Sequence, residues 1–198
     1  MKDEFLPTEG APLVLDIQLR DPQGRLVRHI HRPAESYLYN FMRLIHSGLR
    51  RGQGGSWQAT GTSGKMRGIG PNAPSTGGIA GPNVTPGAGS FTGLVVGGGT
   101  NTLFGTDFKL GSFIRPGTLA NNLNYGKGTA SETISAGTAT MRHYRVFTNN
   151  SGSAVQVREA GYLRTGVHLL IRDLVGGVGI RVGTLASLTV SYNMRTVR

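Results

Sequence analysis

Apolar and polar positions alternate most clearly near the two ends of the chain. Leu13, Leu15, Ile17 and Leu19 fall on one face of an extended segment, with Asp16 and Gln18 on the other. Asp21-Pro22-Gln23-Gly24 follows with turn chemistry: Asp suits the first position, Pro presets the second and Gly suits the fourth. A second strand is predicted from about Arg25 to Ile30, where Leu26, Arg28 and Ile30 alternate against Val27 and His29. Together these predict a β-hairpin. The spacing then changes. Ser36 reads as an N-cap, and Tyr37 to Leu49 reads as a helix with Leu38, Phe41, Ile45 and Leu49 in one stripe. Arg50 and Arg51 suit the carbonyl end of its dipole, and Gly52 stops it.

From Gly52 to Gly99 about a third of the residues are glycine, with Pro71, Pro74, Pro82 and Pro86 between them. No sustained period is visible there before Phe91. Such a segment buries too little apolar surface to offset its ordering entropy. Beyond it, the pattern predicts short strands at Thr92–Val96 and, more weakly, Phe108–Ile114, with loop from Asn121 to Gly128. A long strand at Thr138–Thr148 leads into Asn149-Asn150-Ser151-Gly152, residues that suit a hairpin turn, and Ala154–Glu159 reads as the returning strand. His168–Arg172 and Leu185–Met194 read as further strands, with Gly176, Gly177 and Gly179 as breaks. Strands at this spacing with glycine turns predict an antiparallel β-sandwich, jelly-roll-like or Ig-like. The expected organisation is an N-terminal hairpin and helix (1–51), a Gly/Pro-rich arm (52–90) and a C-terminal β-sandwich domain (91–198). The N-terminal piece is too small to bury a core alone. The arm is therefore expected to be flexible in the free chain and fixed by partners.

Composition changes this picture in two ways. Among 198 residues the formal net charge is +11, and arginine greatly outnumbers lysine. That balance favours an acidic partner, and arginine suits protein interfaces through its hydrogen-bonding fork. Cysteine is absent. Disulfides, thiolate zinc sites and cysteine nucleophiles are excluded, which suits assembly in a reducing cytosol. MKDEFLPTEG does not read as a secretory leader, and no apolar run reaches the roughly 20 residues of a membrane span, so no membrane partner is expected.

Catalytic chemistry is sparse in the sequence. His29 and His31 share one strand face, acceptable geometry for two metal ligands, but no third ligand is evident and Arg28 and Arg32 flank the pair. No metal is therefore expected. Gly61-Thr62-Ser63-Gly64-Lys65 invites comparison with a phosphate loop. That motif needs glycine where Ala59 stands and Ser or Thr where Met66 stands. Gly97-Gly98-Gly99 lacks the dinucleotide fingerprint. Ten acids are present and none forms a recognisable pair; Glu132, Glu159 and Asp173 are the ones a glycan hydrolase or lyase reading would have to use. His143 and His168 lack a nucleophile elbow to serve. Neither a catalytic residue nor a cofactor is expected. Arg25, Arg28, Arg32, Lys65 and Arg67 are the candidate contacts to phosphate or to an acidic partner, without a nucleic-acid fold signature to give sequence readout. Tyr37, Phe41, Arg43, Arg50, Arg51 and Trp57 are the candidate assembly interface.

Several stretches resemble a poorly characterised group of tailed-bacteriophage virion proteins. They are GLVVGGGTN at Gly93–Asn101, DFKLGSFI at Asp107–Ile114, RVFTNNSGSAVQVREAGYL at Arg145–Leu163, LLIRDL at Leu169–Leu174 and LTVSYNMR at Leu188–Arg195, with YLYNFMRLI at Tyr37–Ile45 in the N-terminal part. Their order is more informative than any one of them. The resemblance implies a non-enzymatic structural component of a virion, whose partners are copies of itself and other virion proteins. The tail or head–tail junction is the expected place, and a capsid decoration protein the alternative. The glycine segment is longer than the group implies, so no role for it is carried over. A basic nucleic-acid-binding module making non-specific DNA contact is the alternative of another class.

Overall fold

The computed structural model describes residues 4–5, 11–34, 37–43, 58–68, 92–135, 138–164 and 168–196. The N-terminal hairpin forms as its alternation requires. Strand β2 (Leu13–Arg20) pairs antiparallel with β3 (Leu26–Pro33), from Val14↔Pro33 to Arg20↔Leu26. Asp21 shapes the turn: its Oδ1 accepts from the amides of Gln23 (3.0 Å) and Arg25 (2.9 Å). Gly24 takes φ 82°, a left-handed conformation that glycine adopts without strain. A two-residue strand, β1 (Glu4–Phe5), runs parallel to β3.

The sequence sets the 1–51 segment apart, but its hairpin lies inside the main sheet. The last strand, β14 (Ser187–Arg195), runs antiparallel to β2 from Ser187↔Arg20 to Met194↔Leu13. On its other side β14 pairs with β9 (Thr138–Thr148) from Ser187↔Thr148 to Arg195↔Thr140. The far edge of β9 is shared by β7 (Asn124–Tyr125) and β8 (Thr129–Ser135). The seven-stranded order is β1-β3-β2-β14-β9-β7, with β8 also on β9. Strand β8, TASETIS, is mostly exposed, so it carries no alternation from which to predict it.

A second antiparallel sheet, β12-β11-β6, is built from β6 (Gly93–Gly97), β11 (Glu159–Arg164) and β12 (His168–Leu174). The chain is mainly β, and the two sheets share one apolar core. Leu15, Ile17, Leu188, Val190 and Tyr192 on the first sheet and Leu94, Ala160 and Tyr162 on the second are among its buried members. Ring contacts cross the gap, as where His143 meets Tyr162 edge-on at 5.3 Å.

Further expectations change, and the expected loop at Asn121–Gly128 already holds the short strand β7. Asn149–Gly152 does not close a hairpin; the chain only bends at Ser151–Ser153. After it, β10 (Val155–Val157) pairs with β13 (Ile180–Val182), not with β9. The buried Asn149 holds this crossing, donating from Nδ2 to the carbonyls of Ser153 (2.7 Å) and Val182 (2.8 Å). Phe108–Ile114 is not a strand: its backbone is used elsewhere, as described below, and only Phe113 makes an isolated bridge, to Gly97. Within the supposed arm, β4 (Gln58–Thr60) and β5 (Met66–Gly68) form a hairpin whose turn is the phosphate-loop lookalike. Gly64 closes that turn onto the Gly61 carbonyl at 2.8 Å with φ 78°. Ala59 is fully buried, and Asn40 Nδ2 donates to the Thr60 carbonyl at 2.9 Å. This part of the arm therefore packs on its own subunit; 69–91 lies outside the described residues.

Because β2 is an inner strand, truncating its core should destabilise the whole chain as one unit. Ile17→Ala is expected to cost about 2–5 kcal/mol. Urea unfolding followed by circular dichroism should shift as one transition. Separate early melting of the hairpin would contradict this architecture.

Candidate functional site

The acids that a hydrolytic reading would need are placed in three different environments. Glu159, at the start of β11, is fully buried on the face of the second sheet that carries the 98–113 loop. Its Oε1 accepts from the amides of Gly99 (3.0 Å) and Ser112 (2.8 Å), and its Oε2 from that of Gly111 (3.0 Å). Arg172 Nε donates to Oε2 at 2.9 Å, and Arg172 Nη1 reaches Asp107 at 2.6 Å. The same guanidinium donates to the carbonyls of Asn101 and Thr102. Burial pulls the Arg172 pKa down, but Asp107 and Glu159 outweigh it and hold the pKa above its ordinary value. This explains both Gly97-Gly98-Gly99 and the failed strand. A Cβ on Gly97 or Gly99 would lie 2.4 or 2.5 Å from Glu159 Oε1. The amides of residues 111 and 112 are committed to the carboxylate and not to a strand ladder. Glu159 is thus a structural anchor with its acceptors filled.

Asp173 is also fully buried, where it accepts from the Tyr192 hydroxyl at 2.7 Å, linking the second sheet to β14. Burial first, then Asp173, raises the Tyr192 pKa well above its ordinary value, so the hydroxyl stays a donor. Glu132 stands exposed on β8. The three acids do not converge.

The two strand histidines outside the pair on β3 are buried as well. Burial lowers the His143 pKa below 6.5. Arg145, next along the same face of β9, spans the sandwich. It donates from Nε to the Gly126 carbonyl (2.8 Å) and from Nη1 to that of Leu94 (2.7 Å), with its guanidinium 5.1 Å from the Tyr125 ring.

Of the candidate phosphate contacts, Arg25 and Lys65 are exposed, and Arg25 is tied to Asp21 at 2.6 Å. Arg28 and Arg32 are buried and serve the interior. Arg28 Nη1 donates to the Gly179 carbonyl at 2.6 Å, and Arg32 Nη2 donates to that of Leu174. Strand alternation decides this: Arg28, Ile30 and Arg32 share the core face of β3 with Leu19, Ile17 and Leu15 of β2. The Arg67 side chain lies outside the described residues.

Of the candidate interface, Tyr37 and Phe41 are half-buried against the core and stack on each other at 4.5 Å. Tyr37 bridges Ile171 in β fashion and Leu38 donates to the Leu170 carbonyl, so described helix begins only at residue 39. Arg43 is exposed; Arg50, Arg51 and Trp57 lie outside the described residues. Sequence reasoning missed the exposed apolar group beside them. Tyr39, Met42 and Phe104 are 60%, 59% and 61% exposed. The Tyr39 amide donates to the Gly105 carbonyl at 2.9 Å, joining the helix start to the 104–107 turn. Tyr39 and Met42 lie off the stripe that the helical spacing defines, the one signal available for them.

On the opposite, outer face of the hairpin, Asp16 Oδ2 lies 2.8 Å from His29 Nε2 and 2.9 Å from His31 Nδ1. Asp16 sits directly across from His31 in the register. It is the third ligand-type side chain that linear spacing did not reveal. No family model, curated protein or solved structure matches this chain.

Two measurements test this placement. Glu159→Gln should cost about 3–5 kcal/mol by urea unfolding, since it leaves Arg172 short of a buried partner, whereas Glu132→Gln should stay within about 0.5 kcal/mol. The depressed pKa of His143 means the unfolded chain binds a proton that the folded chain resists. Stability from this group is intact above pH 6.5 and is lost as pH falls from there towards the folded pKa. His143→Gln should therefore flatten the acid-side loss of stability in melts between pH 7 and 5; an unchanged slope would contradict it.

Proposed function

We infer that this chain is a non-enzymatic structural protein that assembles with copies of itself and with other proteins of a tailed-bacteriophage virion, in the tail or at the head–tail junction. The observation that carries the assembly reading is the exposure of Tyr39, Met42 and Phe104: Tyr39 and Met42 lie one helical turn apart, and the Tyr39 ring lies against Gly105, the residue after Phe104. Clustered exposed apolar side chains mark association sites far more than isolated ones do. Aromatic residues and Met are enriched in the centres of interfaces. The interior supports the same reading: Glu159 and Asp173 are engaged in holding loop and sheets together. The virion assignment itself rests on the motif order from Gly93 to Arg195 and on Tyr37–Ile45. Capsid decoration is the nearest alternative place. The nucleic-acid reading is weakened, because Arg28 and Arg32 face inward.

Sedimentation analysis across concentrations tests the assembly reading. The full chain should self-associate, and the Met42→Ser/Phe104→Ser double variant should weaken association at least about tenfold without loss of folding, as for central interface residues that each contribute more than about 1 kcal/mol. A chain that remains monomeric at all concentrations and fails to join purified particles would overturn it. DNA binding that falls steeply with salt would favour the nucleic-acid module instead.

A further inference from the structure

We propose that Asp16, His29 and His31 form a binding site for one divalent transition-metal ion of the zinc class on the outer face of the β2–β3 hairpin. Among the described residues these three are the group of ligand-type side chains whose donor atoms come within 4.8 Å of one another. Their geometry follows from the hairpin. His29 and His31 are two residues apart on β3 and so share a face, and Asp16 is the register partner of His31 on β2. The register is pinned by the Asp21 turn at one end and by the β14 ladder on the other side of β2. Ligands mounted on paired strands hold their spacing better than ligands on loops.

The distances suit a shared ion. Zinc-class ions hold His nitrogen and carboxylate oxygen at about 2.0–2.2 Å, which puts neighbouring ligands about 3 Å apart at right angles and about 3.4 Å apart in a tetrahedral site, so the three donors need to open by only about 0.5 Å to take an ion. The separations from Asp16 Oδ2 to the two ring nitrogens are 2.8 and 2.9 Å. The donor chemistry is selective. Two imidazoles and one carboxylate suit zinc, iron(II), cobalt(II) or nickel(II), whereas calcium and magnesium prefer all-oxygen cages.

The flanking arginines, which in the linear sequence oppose a dication, do not share the site's face. Arg28 and Arg32 point to the core and donate to the carbonyls of Gly179 and Leu174. Gln18 Nε2 approaches the second Asp16 oxygen at 3.4 Å, the orienting contact that bound carboxylates commonly have. The side chains of Asp16, His29 and His31 are 11%, 19% and 34% exposed. An ion can reach the site from solvent past the partly exposed imidazoles, while Asp16 lies deeper.

The competing account of the same distances is that both rings donate N–H to one carboxylate oxygen, with no metal uptake. The two are separated by titrating the untagged full chain, stripped with chelator, with zinc chloride in a calorimeter and with cobalt chloride by visible absorption. The expected result is one ion per chain, cobalt d–d bands of a nitrogen/oxygen site, and a zinc-dependent rise in melting temperature. His29→Gln/His31→Gln alters partly exposed side chains and should stay folded by circular dichroism while losing at least about a hundredfold in affinity. Asp16→Asn, nearly the same shape, should lose at least about tenfold. Absence of saturable zinc binding by the wild-type chain, or binding that persists unchanged in the folded double histidine variant, would overturn the proposal. Neither outcome depends on self-association.

Discussion

The architecture depends on one pairing: β14, the last strand, fills the slot between β2 and β9. Its two ladders run along nearly its whole length, and they join the N-terminal hairpin to the strands of the C-terminal half. Leu13 and Met194 are direct partners although almost the entire chain separates them. Closing so long a loop costs entropy before any contact offsets it, which makes such topologies slow to fold. The same pairing gives the hairpin a stable home. Without β14, β2 and β3 would be an isolated hairpin, marginal in water. With it, Leu15, Ile17 and Ile30 enter a core shared by two sheets.

Polar groups inside this sandwich specify how the layers meet. Arg145 donates from the first sheet to the Leu94 carbonyl of β6, and Tyr192 donates from β14 to Asp173 on β12. On the far side of the second sheet, Glu159 gathers three amides of the glycine-rich loop and one arginine. Apolar packing alone tolerates sliding between layers. A buried charge with directed partners does not, because an offset would leave it unsatisfied in a poorly polar interior. The glycines around Glu159 follow from that choice, since a side chain there would occupy the carboxylate's place.

The arrangement divides labour between interior and surface. Most of the side chains that look chemical in the sequence, Glu159, Asp173, His143, Arg28 and Arg32, are held inside and act on the fold. Among the described residues two outward groups stand out. One is an apolar group where the helix start meets the 104–107 turn. The other is the Asp16, His29 and His31 cluster on the hairpin's outer face.

Local alternation by itself determined much of the strand inventory. The first hairpin, its Asp21–Gly24 turn, Thr138–Thr148 and the last strand were legible because a half-buried strand must alternate and a tight turn needs its particular residues. Strand β8 was not legible, because both its faces are largely exposed. Partner choice was not legible either. Asn149–Gly152 reads as a hairpin turn from local chemistry, yet β9 pairs with β14 because tertiary packing offers a longer ladder than the short β10. Only the fold could bring Asp16 across from His31 or aim Arg28 and Arg32 away from both, since facing depends on which side of the sheet the core lies. The fold also decided that Glu159 would organise a loop more than ten residues wide: a carboxylate's role is set by the donors around it, and these come from segments distant in the sequence.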